Sequence, residues 1–411
     1  MARVRGWQRL CGVILFCVAT AVASRAQGTL TTLVNFNGGR NGRQPAGMSL
    51  IQGADGNLYG VTRSGGANHG GTVFKMTPAG KLTTLYNFCS LANCADGDGP
   101  WASLVQATNG KFYGITVDGG STEYCGTVFE ITSDGKLTTL HNFDGADGCE
   151  PFGALVQAAN GDFYGTTEGG GVNYGTVFEM SPAGALTTLH TFCSLANCAD
   201  GAYPEASVLQ ATNGNFYGTT FLGGTSNNSS VCGTVGCGTV FEITPAGKLT
   251  TLHSFCSLAN CTDGFNPAVA LVQDTDGNFY GTATDGGLAS CEYDYPCGTV
   301  FKITSAGTLT TLHDFCSLTN CADGKGPFGP LVQASGGNMG NMGTDGTFTG
   351  SSGICWTQKR GYVPSVPSSV QRSSRKLGRN LEHGSTSMKA AICPSATLRS
   401  RAVQTAVPAD H

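Results

Sequence analysis

A block of about fifty residues is repeated five times in this chain, and parts of a further copy stand at the two ends of the array. A Phe/Leu-Tyr-Gly landmark begins at Leu58, Phe112, Phe163, Phe216 and Phe279, and its tyrosines lie 54, 51, 53 and 63 residues apart. Gly-Thr-Val-Phe and Leu-Thr-Thr-Leu follow in every copy. Such a chain multiplies one supersecondary unit, so its fold depends on the structure of one unit and on how the units pack.

Each copy is predicted to form four β-strands. In the second copy these are residues 102–107, 111–116, 127–132 and 136–143, which are rich in Thr, Val, Ile, Phe and Tyr. An Asn-Gly turn joins the first two strands, and Ser-Asp-Gly joins the last two. Apolar residues occupy both faces of the third strand, which favours a sheet covered on both sides by neighbouring sheets.

Four antiparallel strands in about fifty residues are typical of one blade of a β-propeller, in which short sheets are arranged radially around a channel. A β-solenoid and a string of separate small sheets are the alternatives. Solenoid rungs are usually shorter, and separate sheets would leave an apolar face in water. The sequence therefore predicts an all-β fold, a β-propeller of about six four-stranded blades whose last blade is composite or incomplete.

The ends of the array predict how the ring closes. Residues 28–36 match a fourth strand without the first three, and residues 330–334 match a first strand with little recognisable after it. We expect a composite sixth blade that combines 28–36 with 328–357. The complete blades are expected at residues 45–88, 100–143, 151–192, 203–255 and 266–315.

The first 26 residues are predicted to be a secretory signal peptide. Arg3, Arg5 and Arg9 precede the apolar run 10–23, and small residues follow it. The run is short for a membrane span, although a retained anchor is the alternative. We therefore expect a secreted or cell-surface protein with no integral membrane span after cleavage of the signal.

Charge separates the repeat domain, assigned to residues 27–340, from the tail at 341–411. Residues 28–340 carry 10 basic and 24 acidic side chains, whereas the tail carries 9 basic and 3 acidic ones. An acidic domain argues against nucleic acid as a partner, because phosphates require clustered cations. The tail breaks the repeat, and its composition predicts disorder. It is interpreted as a degenerate or frame-shifted end, with a basic interaction tail as the alternative.

Sixteen cysteines remain outside the predicted signal peptide, and most follow the repeat. Cys-Ser-Leu-Ala-Asn-Cys, or a close variant, stands after the fourth strand in four copies. In an exported protein this spacing indicates local disulfides. The predicted pairs are Cys89–Cys94, Cys193–Cys198, Cys256–Cys261 and Cys316–Cys321.

Further cysteines lie around the Gly-rich loops between the second and third strands. Cys125 and Cys149 flank one hairpin and are expected to pair. The pairs Cys232/Cys237 and Cys291/Cys297 lie within the loops of the fourth and fifth copies, and there the cross-hairpin alternatives Cys237–Cys256 and Cys297–Cys316 remain open. A metal site is disfavoured because the Cys-Ser-Leu-Ala-Asn-Cys pairs lie one per blade and far apart. We predict no metal and no cofactor.

An Asp/Asn-Gly-x-x-Pro motif precedes each first strand, beginning at Asn41, Asp96, Asp147, Asp200, Asp263 and Asp323. In a propeller this connection emerges on the same face as the Gly-rich loop, so these groups are candidates for binding at a channel mouth. The alternative is turn chemistry, since Asp caps its own turn, Gly supplies positive φ and Pro stiffens the exit. The histidines that share one repeat position, His141, His190, His253 and His313, are interpreted as half-exposed strand residues.

No motif for a catalytic nucleophile, zinc protease, dinucleotide or P-loop occurs in the chain. A pair of carboxylates for glycoside cleavage needs no sequence proximity, and nothing in the sequence singles one out. We assign no catalytic residue and favour a protein that is not an enzyme.

The loop between the second and third strands varies most in length between copies. In the fifth copy it carries Asp285 and then Glu292, Tyr293, Asp294 and Tyr295, which combine charge with aromatic surface. Because recognition usually lies in loops on a regular scaffold, these residues are candidate binding residues. Drift in surface loops is the alternative.

The repeated motifs resemble those of the GloVer tandem-repeat family of exported bacterial proteins. The resemblance rests on Gly-Asn-Phe-Tyr-Gly-Thr-Thr, on Gly-Thr-Val-Phe-Glu-Ile-Thr-Pro-Ala-Gly-Lys-Leu-Thr-Thr-Leu-His-Ser-Phe and on Asp-Gly-x-x-Pro, and it covers roughly residues 28–338. It implies a secreted or surface-attached repeat protein with a variable C-terminal anchor, and it brings no catalytic residues. No sorting motif or hydrophobic anchor is recognised at the end of this sequence.

The sequence thus favours a secreted, non-catalytic binding or adhesion scaffold that presents rim loops to a glycan, a peptide or a surface polymer. Aromatic side chains near the Gly-rich turns, including Trp101 and Tyr203, could stack on sugars or be buried between blades. A structural cell-surface protein with no ligand, and a polysaccharide hydrolase or lyase at the channel mouth, are the alternatives. The oligomeric state does not follow from the sequence.

Overall fold

The chain is a β-propeller whose blades are antiparallel sheets following one another in sequence. The computed structural model describes residues 32–45, 50–121, 124–226, 229–288, 297–333, 339–342, 348–349, 355–357 and 389–391. In these ranges five complete blades are followed by a three-stranded sheet. This confirms the predicted fold class.

The strands of each blade run as an antiparallel meander, and in blades 1, 3, 4 and 5 every strand pairs with the next. Blade 1 has β1 (Ile51–Gln52), β2 (Leu58–Thr62), β3 (Thr72–Met76) and β4 (Leu82–Asn87). Blade 2 has β5 (Asp98–Pro100), β6 (Val105–Gln106), β7 (Phe112–Asp118), β8 (Thr127–Ile131) and β9 (Leu137–Asn142). Blade 3 has β10 (Val156–Gln157), β11 (Phe163–Thr167), β12 (Thr176–Met180) and β13 (Leu186–Thr191).

The next two blades repeat this order. Blade 4 has β14 (Leu209–Gln210), β15 (Phe216–Thr220), the short helix α1 (Ser229–Cys232), β16 (Thr239–Ile243) and β17 (Leu249–Ser254). Blade 5 has β18 (Val272–Gln273), β19 (Phe279–Ala283), β20 (Thr299–Ile303) and β21 (Leu309–Asp314). Short 3₁₀ helices follow the fourth strands of blades 1, 3, 4 and 5, at Ala92–Cys94, Ala196–Cys198, Ala259–Cys261 and Thr319–Cys321.

The first strand of each blade is shorter than predicted. In blade 2 the chain pairs with β7 twice, once through β5 and once through β6, and it leaves the ladder between them. The segment 101–104 therefore separates two contacts with one strand. In the other four complete blades the outer contact is a single bridge, and only the two-residue inner strand remains.

Aromatic rings join each blade to the next. Tyr59 of β2 stacks on Phe112 of the following blade with ring centroids 4.0 Å apart. The same contact recurs at Tyr113–Phe163, Tyr164–Phe216 and Tyr217–Phe279. A second series of edge contacts joins the Phe after the fourth strand to the third strand of the next blade, at Phe88–Phe129, Phe143–Phe178, Phe192–Phe241 and Phe255–Phe301. The apolar faces predicted from the sequence are thus buried between sheets.

Residues 32–36 take the position of a fourth strand beside blade 1, although they form no assigned strand. Phe36 contacts Phe74 with ring centroids 5.1 Å apart, the spacing seen between later blades. Gly80 lies against the backbone of Leu33, as Gly135 lies against Leu85 one blade later. The N-terminal half of the predicted closure therefore has the expected neighbours on the blade 1 side.

The C-terminal sheet consists of β22 (Val332–Gln333), β23 (Met339–Met342) and β24 (Phe348–Thr349). Pairing of this sheet with residues 28–36 stays a prediction. In the tail at 341–411, β25 (Cys355–Thr357) pairs with β26 (Lys389–Ala391). In the part of the chain that the structure describes, no helix is long and apolar enough to cross a membrane.

Candidate functional site

Two kinds of connection meet at one edge of the blades, which we call the loop edge. One is the Asp/Asn-Gly-x-x-Pro segment between blades, and the other begins where the second strand ends. In blade 4, Tyr203 donates its N–H to the Tyr174 carbonyl of blade 3 at 2.9 Å, and its own carbonyl accepts the N–H of Phe221 at 2.9 Å. The residue before the proline therefore links two blades, and the two connections lie on one face, as predicted.

The backbone at this linking residue is left-handed in all six connections. Two connections place glycine there, at Gly99 and Gly326, with φ of 65° and 56°. The other four place a side chain at a φ of 55° to 57°, namely Gln44, Glu150, Tyr203 and Asn266. A non-glycine residue in this region costs roughly 1–2 kcal/mol, and such strain is often found at functional sites. Aligning the residue before each proline in the sequence would have revealed this position.

The predicted binding aspartates turn away from solvent into their own connections. Asp200 is buried, and its Oδ2 accepts hydrogen bonds from the Ser194 N–H at 3.0 Å and the Ser194 hydroxyl at 2.7 Å. Its Oδ1 accepts the Leu195 N–H at 3.2 Å. Burial raises the pKa of Asp200, but these hydrogen bonds outweigh burial and the net pKa lies below its usual value.

The other aspartates of this motif make equivalent contacts. Asp96 and Asp263 are also buried and bind the corresponding Ser and Leu amides, and Asp323 does the same in blade 5. Asp147 accepts the N–H of Asp144 at 3.0 Å. These contacts favour the turn-chemistry interpretation, and ligand binding by these carboxylates stays a prediction.

The four repeated histidines are partners of these aspartates, a pairing that the sequence analysis missed. His190 Nε2 lies 3.1 Å from Asp200 Oδ2, and burial lowers the pKa of His190. The same pairing joins His141 to Asp147, His253 to Asp263 and His313 to Asp323. Tyr86 occupies the position in blade 1 and donates to Asp96 at 2.8 Å. The sequence signal for this pairing was the spacing from each histidine to the aspartate of the next connection, which is six residues for His141 and ten for the other three.

These His, Asp and Ser side chains do not form a catalytic triad. In a triad, histidine lies between the serine and the carboxylate and takes the serine proton. Here the Asp200 carboxylate lies between the other two, since both His190 and the Ser194 hydroxyl bind its Oδ2. The serine proton is therefore directed to the carboxylate, and the arrangement stabilises the connection.

Side chains that differ between blades gather at the loop edge. Arg63 lies over the Trp101 ring, with its Cζ 4.6 Å from the ring centroid. Trp101 contacts Phe152 of the next connection edge-on at 5.7 Å. All three follow either a second strand or the proline of a connection, so adjacent blades contribute to one aromatic surface.

Three glutamates continue this surface: Glu150 in the connection before blade 3, Glu168 after the second strand of blade 3, and Glu205 in the connection after blade 3. Burial raises the pKa of Glu168 to about 8, and the nearby carboxyls of Glu205 and Glu150 add to the effect. Burial also raises the pKa of Glu205 to about 7. The Glu168 N–H donates to the Glu150 carbonyl at 3.0 Å. The variable patch is defined as Arg63, Trp101, Glu150, Phe152, Glu168, Tyr174, Tyr203 and Glu205.

The fifth-blade candidates are only partly described. Asp285 lies at the loop edge, where its backbone bridges Phe265, and it is half-buried. Burial raises its pKa to about 6, although the Thr284 hydroxyl donates to its Oδ2 at 2.8 Å. Glu292, Tyr293, Asp294 and Tyr295 lie outside the described residues, so their role stays a prediction.

The cysteines form disulfides within single blades or their connections. The structure has Cys89–Cys94, Cys125–Cys149, Cys193–Cys198, Cys232–Cys237, Cys256–Cys261 and Cys316–Cys321. The fourth blade thus has the local pairing, not the cross-hairpin alternative. Cys297 is also disulfide-bonded, whereas its predicted partner Cys291 lies outside the described residues.

Two groups of side chains among the described residues have the ligand types and spacing for a metal ion. They are Cys232 with Cys237 and Cys256, and Cys89 with Cys94 and Asp98, whose ligand atoms lie within 4.8 Å of one another. All of these cysteines are in disulfides. A disulfide lacks the thiolate that binds a metal, so neither group is a metal site in this form of the chain.

The Gloeobacter/Verrucomicrobia repeat family model matches residues 20–232 and 197–356. No curated protein matches the chain. Similar solved structures include a protein described as a gluconolactonase, with 12% identity, 64% of this chain and 73% of that chain covered, and a TM-score of 0.35. A luciferin-regenerating enzyme matches with 12% identity, coverage of 64% and 79%, and a TM-score of 0.40. A Thermus thermophilus oxidoreductase described as a glucose dehydrogenase matches with 11% identity, coverage of 89% and 100%, and a TM-score of 0.43. With TM-scores below 0.5, these similarities do not indicate a function for this chain.

Proposed function

The chain belongs to the Gloeobacter/Verrucomicrobia repeat family, and we propose that it is an exported, non-catalytic scaffold that binds a carbohydrate at the variable patch. One observation carries the proposal. Side chains that differ between blades meet at this patch, and two of them, Glu150 and Tyr203, stand in a left-handed backbone where other blades have glycine. Backbone strain of this kind is often found at functional sites, and at Glu150 and Tyr203 it coincides with side chains that differ between blades.

The composition of the patch suits a sugar. Aromatic rings offer an apolar face for the C–H side of a pyranose, and carboxyl groups bind hydroxyls. Trp101 and Tyr203 are half-buried and supply rings, and Glu150, Glu168 and Glu205 supply carboxyls within the same surface. Export is supported by the disulfides and by the leader-like residues 1–26.

A glycan array of neutral and uronate-containing oligosaccharides tests the proposal, followed by calorimetric titration of each hit. Trp101→Ala is expected to weaken binding at least about tenfold, equivalent to about 1.4 kcal/mol. Glu150→Gly is the sharper variant, because glycine favours the left-handed backbone at this position. It should lose affinity for the glycan without losing thermal stability.

Lys248→Ala, in an exposed turn at the opposite edge, is the matched control and should bind like the wild type. Absence of every oligosaccharide ligand would overturn the proposal and favour a structural cell-surface protein. Wild-type affinity in both patch variants would place a glycan site elsewhere on the chain.

Glycan cleavage is the second candidate, favoured by the raised pKa values of two neighbouring carboxyls. Glu168, with a pKa of about 8, holds a proton near neutrality and could protonate a leaving oxygen. Incubation of each array hit with the protein, followed by chromatography, distinguishes the two functions. Cleavage that is lost in Glu168→Gln supports the enzyme, whereas intact oligosaccharide supports the scaffold.

A further inference from the structure

We propose that blade 4 contains a thiol–disulfide exchange site, in which Cys237 transfers its bond from Cys232 to Cys256. The sulfur atoms of these three cysteines lie within 4.8 Å of one another. Cys232–Cys237 and Cys256–Cys261 are the bonds present. Two disulfides are therefore adjacent, and one sulfur of each is close enough to reach the other after a small movement.

The surroundings favour exchange within the chain over reaction with solvent. Cys237 and Cys256 are buried in one apolar cluster together with Phe255 and Cys261, whereas Cys232 is only partly buried at its margin. An external thiol therefore reaches Cys232 first. The thiolate that it releases, on Cys237, is held beside the second disulfide.

Other blades show that this position reaches the following connection. Cys125 of blade 2 precedes Gly-Thr-Val-Phe as Cys237 does, and it is bonded to Cys149 in the connection that follows. In blade 1 the position is Gly70, and a Cβ added there would lie 2.7 Å from Cys89 Sγ. A cross-hairpin bond from this position thus agrees with the blade geometry.

The exchange balances with a dithiol as the external reductant. One thiolate of the dithiol attacks Cys232 Sγ, breaks the Cys232–Cys237 bond and releases the Cys237 thiolate. That thiolate attacks Cys256 Sγ, forms Cys237–Cys256 and releases the Cys261 thiolate. The second thiol of the dithiol then frees Cys232 and closes the oxidised dithiol. Two thiols are gained on the chain and two are lost from the reductant.

The consequence is a change in what the bridge holds. The Cys232–Cys237 bond ties the loop insert to itself, whereas Cys237–Cys256 would clamp the β16–β17 hairpin. The exchange therefore releases the insert that carries α1 and keeps the blade cross-linked. In blade 5, Cys297 likewise packs beside Cys316 and Cys321.

Cys232→Ser tests the site without any reductant, because it leaves Cys237 as a thiol beside Cys256–Cys261. We expect alkylation to mark Cys261 and non-reducing peptide mapping to find Cys237–Cys256. Cys149→Ser is the matched control, since Cys125 then has the same blade position with no second disulfide in its connection. There alkylation should mark Cys125. An intact Cys256–Cys261 bond with alkylated Cys237 would overturn the proposal.

The wild-type chain provides a second measurement if the serine variant does not fold. Limiting dithiothreitol followed by alkylation should label Cys232 and Cys261 together and yield the Cys237–Cys256 peptide. The isolated Cys193–Cys198 pair of blade 3, which has Tyr174 at the exchange position, should only be reduced to two thiols. Joint labelling of Cys232 and Cys237, with no cross-hairpin peptide, contradicts the exchange.

Discussion

The two edges of the blades vary between copies in different ways. At the edge opposite the loop edge, which we call the turn edge, the second-strand tyrosine of each complete blade donates its hydroxyl to a carboxylate. Where the Asx-Gly turn has Asp, the third strand has Lys, and where the turn has Asn, the third strand has Glu. In the sequence the paired positions are Asp55/Lys75, Asp276/Lys302, Asn109/Glu130, Asn160/Glu179 and Asn213/Glu242, and the two Asp–Lys pairs and Asn160–Glu179 are hydrogen-bonded.

Variation at the turn edge is therefore compensated, and each blade keeps one carboxylate for its tyrosine. At the loop edge the residue after the second strand and the residue that faces it both change in chemical type, from Arg63 over Trp101 to Glu168 near Glu205. Compensated variation indicates a requirement of the fold. Variation that changes the charge and the ring content of an edge, next to left-handed positions such as Glu150 and Tyr203, is what we expect of a surface whose chemistry is used.

Removing a ring at each edge gives the largest expected contrast. Tyr164→Ala deletes a buried ring that stacks on Phe216 at 3.9 Å and donates to Glu179. It should lower the free energy of unfolding by about 3–5 kcal/mol, as large aromatic truncations do. Tyr203→Ala removes a half-buried ring with one edge contact, to Tyr174 at 5.5 Å, and should cost about 1 kcal/mol. Urea unfolding measures both, and equal losses would contradict the distinction between the edges.

The same contrast explains which features the sequence could predict. Strands, Asx-Gly turns and the Cys-Ser-Leu-Ala-Asn-Cys disulfides depend on residues close in the chain, so local patterns revealed them. The His190–Asp200 pairing does not follow from either repeat position alone, because it depends on how the connection folds back against the fourth strand. The sequence predicted Asp200 as a binding residue at the channel mouth. In the structure its carboxylate instead accepts hydrogen bonds from the backbone N–H groups of Ser194 and Leu195, which precede the 3₁₀ turn.

The variable patch could not be assembled from the sequence for a different reason. Arg63, Trp101 and Phe152 come from successive blades, and their meeting depends on how the sheets are rotated against each other. Repeat alignment gives the position of each residue in its own blade and nothing about its neighbour. The prediction for Glu292 to Tyr295 in the fifth-blade loop rests on composition. Composition likewise does not show which side chains of other blades lie nearby.

Glu168 offers a prediction of pH dependence at the loop edge. Its pKa rises from 4.5, the ordinary value of a glutamate side chain, to about 8 in the folded chain. Between these values the folded protein holds a proton that the unfolded chain releases, so stability falls as pH rises through this window. Glu168→Gln should raise the melting temperature by at least about 2–4 °C at pH 8.5, the shift that about 1 kcal/mol produces in domains of 150–250 residues.

At pH 4, where Glu168 is protonated in the folded chain and mostly protonated in the unfolded one, the substitution should have little effect. Differential scanning calorimetry at both pH values gives the comparison. An equal change at pH 4 and pH 8.5 would mean that the Glu168 carboxyl is not destabilised by its surroundings.

The smallest expected effect tests compensation at the turn edge. Lys75 Nζ and the Tyr59 hydroxyl both donate to Asp55 Oδ2, at 2.8 and 2.9 Å. Asp55→Asn and Lys75→Glu each break this network and should lower the melting temperature by about 1–3 °C, because the pair is partly exposed to solvent. The double variant recreates the Asn–Glu arrangement of blade 2, in which Tyr113 donates to Glu130. It should recover most of the loss in thermal melts, and additive losses would show that the two positions vary independently.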